Sequence, residues 1–198
     1  MIAEPRTLIV LAGGESKRMG FPKHRLAVGG RDVLTHLHAR LAPSFVKTSV
    51  VGRDIGTVPR GVGVTEDRFI ARSPLVGIHA GLAASPTDLT FVVGCDMPHV
   101  EPELVRYLLD LANGADVVVP IVRGFHEPLC AVYRRSCIES IERLIARGTL
   151  KVSALYDLVA VRDVPETCVR GCDPGLRSFI NLNTPTRIHA AVRDPRPG

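Results

Sequence analysis

The sequence predicts an α/β fold, a single Rossmann-like domain built on a doubly wound, mainly parallel sheet. Short apolar runs alternate along the chain with segments of helical period, the pattern left by repeated strand-helix-strand units. The strongest run, LTFVVGC at residues 89–95, is apolar at nearly every position, as a strand covered by helices on both faces must be. Aliphatic residues dominate an apolar content of 45%, while aromatics make up only 5%, a balance that suits such a sheet. A length of 198 residues fits one core, and neither an internal repeat nor a linker divides residues 1–198.

The first strand falls at residues 7–11, ahead of a glycine-rich loop. Asp32 is the expected N-cap of a helix reaching Leu41, in which Val33, Leu34, Leu37 and Leu41 share one face. Residues 48–51 read as a second strand and 63–66 as a weaker third. Ser73 followed by Pro74 is a cap with proline at the first helical position, and opens a helix of small residues to about Ala84. Beyond the strand at 89–95, Pro102 opens a helix over 103–112 that Asn113-Gly114 closes. Strands at 116–122 and 129–133, a helix at 136–147 and a short strand at 158–164 follow. Thr184-Pro185 begins a last helix, and the tail is frayed from about residue 190.

A formal charge of +5 admits nucleic acid, a membrane surface or a small polyanion. There is no Lys/Arg-rich block and few aromatics to stack bases. The one dense basic cluster before the tail, Lys17, Arg18, Lys23 and Arg25, sits inside the glycine loop. That placement favours a phosphorylated small molecule over a nucleic-acid strand. Cys95, Cys130, Cys137, Cys168 and Cys172 form an odd set without a C-x-x-C pair, which points to a reducing compartment and away from structural zinc. No apolar run approaches the roughly 20 residues that cross a bilayer, and the N-terminus lacks the apolar core of a signal peptide. The expectation is a cytoplasmic protein without a membrane partner.

Ligands of doubly wound sheets bind at the carboxyl ends of strands, and LAGGESKRMGFPK at residues 11–23 lies at such an end. Gly13 and Gly14 let backbone N–H groups approach ligand oxygens with no Cβ in the way, while Arg18 and Lys23 offer charge to a polyphosphate. The stretch is neither a Walker A loop nor G-x-G-x-x-G. A glycine pair alone would be an ordinary turn. Arg18, Gly20 and Lys23 directly behind it argue for a phosphate cradle.

L-A-G-G-x-S-x-R-M-G-x-x-K resembles the signature loop of the nucleotidyltransferases that attach a nucleoside monophosphate to molybdopterin, and among them of the molybdenum cofactor guanylyltransferases. Further segments carry the same resemblance: Thr65-Glu-Asp67 with Ser73-Pro-Leu-Val-Gly-Ile-His-Ala-Gly-Leu82, Val93-Gly-Cys-Asp-Met-Pro98, Glu127-Pro-Leu-Cys-Ala-Val-Tyr133 and Phe179-Ile-Asn-Leu-Asn-Thr-Pro185. It spans about residues 7–188. It implies a nucleotidyltransferase-type sheet and transfer of GMP from GTP to molybdopterin with Mg²⁺. Leu11, Ala12, Gly13, Gly14, Lys23, Asp67, Leu75, Gly77 and Asp96 are the implied nucleotide contacts, with Arg18, Lys23 and Asp96 catalytic, Asp96 also binding the metal, and Asn181 and Asn183 on the acceptor. Molybdoenzyme apoproteins or their chaperones are the further partners it implies. Ser73 stands where glycine is usual, Pro22 where Asp is common, and His24-Arg25 where small or apolar residues are commoner. Residues 146–153 match loosely and receive no role.

The chemistry explains the convergence. Joining a phosphomonoester to the α-phosphate of a nucleoside triphosphate brings two anions together, so a hard cation and fixed donors must offset their repulsion. Asp96, at the end of the strongest strand, is the best magnesium ligand, and Lys23, Arg18 and the Gly13 and Gly14 amides would hold the triphosphate. An Asp after a strand is equally a common turn former, and Asp67 could simply cap its segment. Asn181 and Asn183 alternate, so they face one side of an extended segment. His79, His99 and His126 lack ligand spacing and are read as packing or solvent-facing, and Cys95 as buried. Competing functions are a cytidylyltransferase for the same acceptor, a sugar-phosphate nucleotidylyltransferase, and a non-catalytic molybdopterin-binding escort. Gly13 and Leu75-Val-Gly77 favour guanine over cytosine.

Overall fold

The computed structural model describes residues 4–12, 27–28, 30–66 and 73–182. Strands and helices follow in the order β1 (Arg6–Leu11), β2 (Ala27–Val28), β3 (Arg31–Asp32), α1 (Val33–Leu41), β4 (Lys47–Val51), β5 (Gly63–Thr65), α2 (Pro74–Ala84), β6 (Leu89–Gly94) and α3 (Pro102–Asp110). They continue with β7 (Val117–Val122), β8 (Phe125–His126), β9 (Cys130–Arg134), α4 (Cys137–Ala146), β10 (Val161–Val164) and α5 (Glu166–Cys172). The main sheet has the order β10-β7-β9-β6-β1-β4-β5, with β8 hairpinned onto β7, and β2 and β3 form a separate antiparallel ribbon. β1 pairs in parallel with β4 on one side and β6 on the other, whereas β9 runs antiparallel to both β6 and β7. The sheet is therefore mainly parallel, as its apolar runs imply.

Alternation along β1 divides the interior. Leu8 and Val10 enter the core beneath α1, α3 and α5, with Leu37, Leu104, Leu108 and Val169. Ile9 and Leu11 enter the opposite core beneath α2 and α4, with Leu75, Ile78, Leu82 and Ile141. The expected apolar face of α1 is the one that is buried, and the Asp32 carboxylate caps the helix by accepting from the Thr35 amide at 2.9 Å. Ser73 caps α2 in the same way, its hydroxyl accepting from Val76 N at 3.3 Å. Small residues on α2 let it settle close to the sheet. A Cβ at Gly81 would come within 2.9 Å of Ile9 Cγ2, and one at Gly77 within 3.3 Å of Leu11 Cδ2.

Several elements differ from the sequence reading. The strand expected over 158–164 begins only at Val161, because Leu158 N bonds back to Leu155 O in a turn and the Asp116 carboxylate holds Ala160 N at 2.9 Å. The helix after Pro102 ends at Asp110, where Ala112 N turns in to Leu109 O. α5 was not expected at all. Its sequence ETCVRGC is a poor helix former, and burial of Val169 decides the matter. The β7-β8 hairpin also went unseen: Arg123 at φ 53° and Gly124 at φ 80° form its two-residue turn, a type that Asn-Gly usually signals. The last helix and frayed tail lie outside the described residues. No helix of the described residues is long and apolar enough to cross a membrane.

Replacing Gly81 with Val should lower stability by about 1–3 kcal/mol, because the branched side chain meets a β-branched core residue that has no room to withdraw. Urea unfolding of the variant, read as a lower midpoint at unchanged slope, checks this.

Candidate active site at the carboxyl end of the sheet

From β1 the chain winds outward through β4 and β5, then crosses back to lay β6 against the other side of β1. The order reverses between β1 and β6, and a crevice opens at their carboxyl ends. Two backbone bonds shape that end: Leu11 O accepts from Cys95 N at 2.9 Å, and Ala12 N donates to Val51 O at 2.8 Å. Leu11 and Ala12 therefore reach the crevice with these groups already paired. Gly13, Gly14, Arg18, Lys23, Asp67 and Asn183 lie outside the described residues.

Asp96 stands one residue beyond Cys95, half-buried. Its orientation depends on Gly94, since a Cβ there would lie 2.7 Å from Asp96 Oδ1 and 3.6 Å from Leu129 Cβ. Met97 N closes the turn onto Gly94 O at 3.0 Å, and Gly94 N reaches across to Leu129 O at 2.9 Å. The turn that presents Asp96 is thus braced from β1 and from the approach to β9.

The segment with Asn181 joins the same turn through Leu182 N, which donates to Asp96 O at 2.8 Å. Asp173 builds that approach. Its carboxylate is buried and accepts from Arg177 N at 3.0 Å and Ser178 N at 2.8 Å, while Ser178 Oγ accepts from Glu101 N at 3.0 Å. Leu176 enters the turn at φ 51°. Asn181 Oδ1 is buried without a hydrogen-bond partner among the described residues. The sequence reading assigned nothing to Asp173, although Asp-Pro-Gly is a turn signature that could have flagged it.

Leu75 and Gly77 have structural work of their own. Leu75 is fully buried, which leaves only its backbone for a ligand, and Gly77 abuts Leu11. Their helix begins at the carboxyl end of the sheet, so Ser73 and Pro74 stand at the crevice side. Pro74 also lines a groove of about 510 Å³ shared with Phe125, His126, Pro128, Lys151 and Tyr156. His79 is buried, with Nε2 2.9 Å from Glu142 Oε1 between α2 and α4, and His126 faces solvent with Nε2 2.8 Å from Asp163 Oδ1. Cys95 is buried, and all five cysteines are free thiols.

The fit to a metal can be judged from the donors. No group of three or more His, Cys, Asp or Glu side chains that could hold an ion exists among the described residues. One carboxylate at a crevice suits magnesium, which keeps few protein ligands and completes its shell with phosphate oxygens and water. Asp96 fits that role.

The fold is that of a doubly wound α/β protein with a crevice at its switch point. Residues 8–162 match the model of the MobA-like NTP transferase domain, and the chain belongs to that family of nucleotidyltransferases. It is 34% identical over 188 residues to the molybdenum cofactor guanylyltransferase of Desulfosudis oleivorans, covering 93% of each chain. It is 36% identical to a probable molybdenum cofactor guanylyltransferase of Pelotomaculum thermopropionicum, covering 92% of this chain and 89% of that one. Among solved structures, molybdopterin-guanine dinucleotide biosynthesis protein A from Archaeoglobus fulgidus superposes with a TM-score of 0.81 at 27% identity, over 93% of this chain and 96% of that one.

Gly94→Ala should displace the Asp96 carboxylate without changing any charge. A loss of turnover of about tenfold or more, with a thermal midpoint shifted by only a few degrees, is expected from steady-state assay and thermal unfolding of the same preparation.

Proposed function

We propose that this protein transfers GMP from GTP to the terminal phosphate of molybdopterin, releasing pyrophosphate and forming the guanine dinucleotide cofactor. The observation that carries this reading is the backbone bond from Leu182 N to the Asp96 carbonyl, which ties the segment assigned to the acceptor to the turn that carries Asp96 at the β1/β6 crevice. The names of the relatives support the same donor and acceptor, and the Leu75-Val-Gly77 segment favours guanine.

In this reading an oxygen of the acceptor's phosphate attacks the α-phosphorus of GTP in line, and the bond from that phosphorus to the bridging oxygen of the β-phosphate breaks. No side-chain nucleophile takes part, so the protein's contribution is positioning and charge. Magnesium, when bound with the triphosphate, supplies the positive charge that offsets the meeting of two anions. Asp96 would hold it. Arg18 and Lys23 would neutralise the departing pyrophosphate, and the Gly13 and Gly14 amides would cradle the phosphates. Asp67 is assigned to the nucleotide, and Asn181 and Asn183 to the acceptor.

Pyrophosphate release measured with molybdopterin and each of GTP, CTP and ATP tests the assignment. GTP should be used best, and CTP used at least as well would overturn the guanylyl reading. Asp96→Asn should reduce the rate by a factor of order 10² while leaving the fold intact, because it removes a charged oxygen but keeps size and shape. Lys23→Ala should weaken GTP binding in calorimetric titration without altering thermal unfolding, whereas wild-type affinity in that variant would remove the lysine from the site.

A further inference from the structure

We propose that the groove beside the β7-β8 hairpin seats the heterocycle of the acceptor, with Phe125 as the aromatic contact that selects it. The inference rests on the reaction proposed above and gives the acceptor's ring a place, which that reading left open.

The groove forms where several chain reversals meet at the carboxyl end of the sheet. The β7-β8 hairpin supplies Phe125 and His126, the approach to β9 supplies Pro128, the start of α2 supplies Pro74, and the segment after α4 supplies Lys151 and Tyr156. Its volume of about 510 Å³ is that of a small-molecule site. It lies against the Asp96 turn. The residue after Pro128 is Leu129, whose carbonyl accepts from Gly94 N at 2.9 Å, and Gly94 is the residue whose open side leaves room for the Asp96 carboxylate. One residue of chain and one hydrogen bond therefore link the groove wall to that turn.

Strand order gives the groove its partner. Asp96 follows β6; the glycine loop departs from β1 on one side of that strand, and β9 and β7 lie on the other. A nucleotide held by the loop and a second molecule in the groove would meet at Asp96, as the joining of two phosphates requires.

The walls are set before any ligand arrives. His126 Nε2 lies 2.8 Å from Asp163 Oδ1, and its ring meets that of Tyr156 edge to face with centroids 4.9 Å apart. Pro128 O accepts from the buried Tyr133 hydroxyl at 2.9 Å. The hairpin turn is pinned by Glu166, whose carboxylate accepts from Arg123 N at 2.7 Å. Phe125 stands directly beyond that turn, paired in register with Val122, and its side chain is 75% exposed. A large apolar side chain that belongs to neither core, held on a short braced hairpin at the lip of a groove, marks a contact surface.

The lining selects the kind of molecule. Proline and aromatic faces suit a flat ring, and among the described lining residues Lys151 bears the one fixed charge, a cation. A fused heterocycle that carries a phosphate has both properties, and molybdopterin is one. The guanine of GTP is equally flat, but its triphosphate is assigned to the glycine loop on the far side of β6.

Steady-state kinetics of Phe125→Ala and Phe125→Tyr with GTP, magnesium and molybdopterin, beside thermal unfolding of each, test the placement. Phe125→Ala should raise the KM for molybdopterin about tenfold, the loss expected when one stacking side chain is removed, with the KM for GTP within about twofold of wild type. Its thermal midpoint should stay within about two degrees, because the side chain is exposed. Phe125→Tyr keeps the ring and should hold the molybdopterin KM within about threefold of wild type. An unchanged molybdopterin KM in Phe125→Ala, a rise of similar size in the KM for GTP, or an equal defect in Phe125→Tyr would each overturn the groove as the seat of the acceptor while leaving the reaction standing. Failure of the wild-type protein to transfer GMP to molybdopterin would overturn the reaction itself and this inference with it.

Discussion

The Cys95 amide reaches Leu11 O at 2.9 Å while the Ala12 amide reaches Val51 O at 2.8 Å, and the geometry of the whole crevice follows from this pair. β1 is the strand on which both halves of the sheet hang, with parallel neighbours in register on either side. At its end those neighbours would be free to diverge. The two bonds keep them together for one further residue each, enough to fix where the glycine loop departs and where the Asp96 turn begins. A side chain on such a turn inherits the rigidity of the sheet and needs little ordering when a ligand arrives.

The two ends of the sheet are built on opposite terms. At the amino end the buried hydroxyls of Thr7, Thr87 and Thr90 are matched: Thr7 Oγ1 lies 2.8 Å from Thr87 Oγ1, Thr87 Oγ1 donates to Leu89 O at 2.9 Å, and Thr90 Oγ1 donates to Ser85 Oγ at 3.1 Å. Arg134 bonds there to Asp88, Glu4 and the carbonyls of Ala112 and Ala115, and Arg135 bonds to Ser85 O. At the carboxyl end, Glu127 and Asn181 keep acceptors without donors among the described residues.

Much of this architecture was legible in the residues. Thr7 to Leu11 and Leu89 to Gly94 could be read as buried strands because helices cover both faces and the apolar run is continuous. Asp32 and Ser73 could be read as caps because a short oxygen before a periodic segment has one efficient use. Asp96 could be placed at a strand end for the same local reason. Direction was not legible: CAVYR reads the same whether β9 runs with or against β6. α5 escaped because its helicity comes from the burial of Val169 and not from propensity. Asp173 escaped because its worth lies in a buried turn, where its carboxylate accepts from the Arg177 and Ser178 amides four and five residues further on. Gly77 was read for a ligand, and the structure adds a packing reason for the glycine, the close approach of α2 to Leu11.

The bond from Leu182 to Asp96 closes a loop over nearly half the chain. During synthesis β6 and its turn emerge long before the segment that completes them. Native contacts of such sequence separation form late, since the intervening chain must first be ordered. A nascent chain can therefore assemble β1, β4 and β6 while the segment assigned above to the acceptor is still unbuilt, so the proposed two-substrate site is the last part that folding completes. A molecule interrupted before residue 182 would keep most of its core and lack the partner for the Asp96 carbonyl, which makes the far end of the chain a checkpoint on completeness.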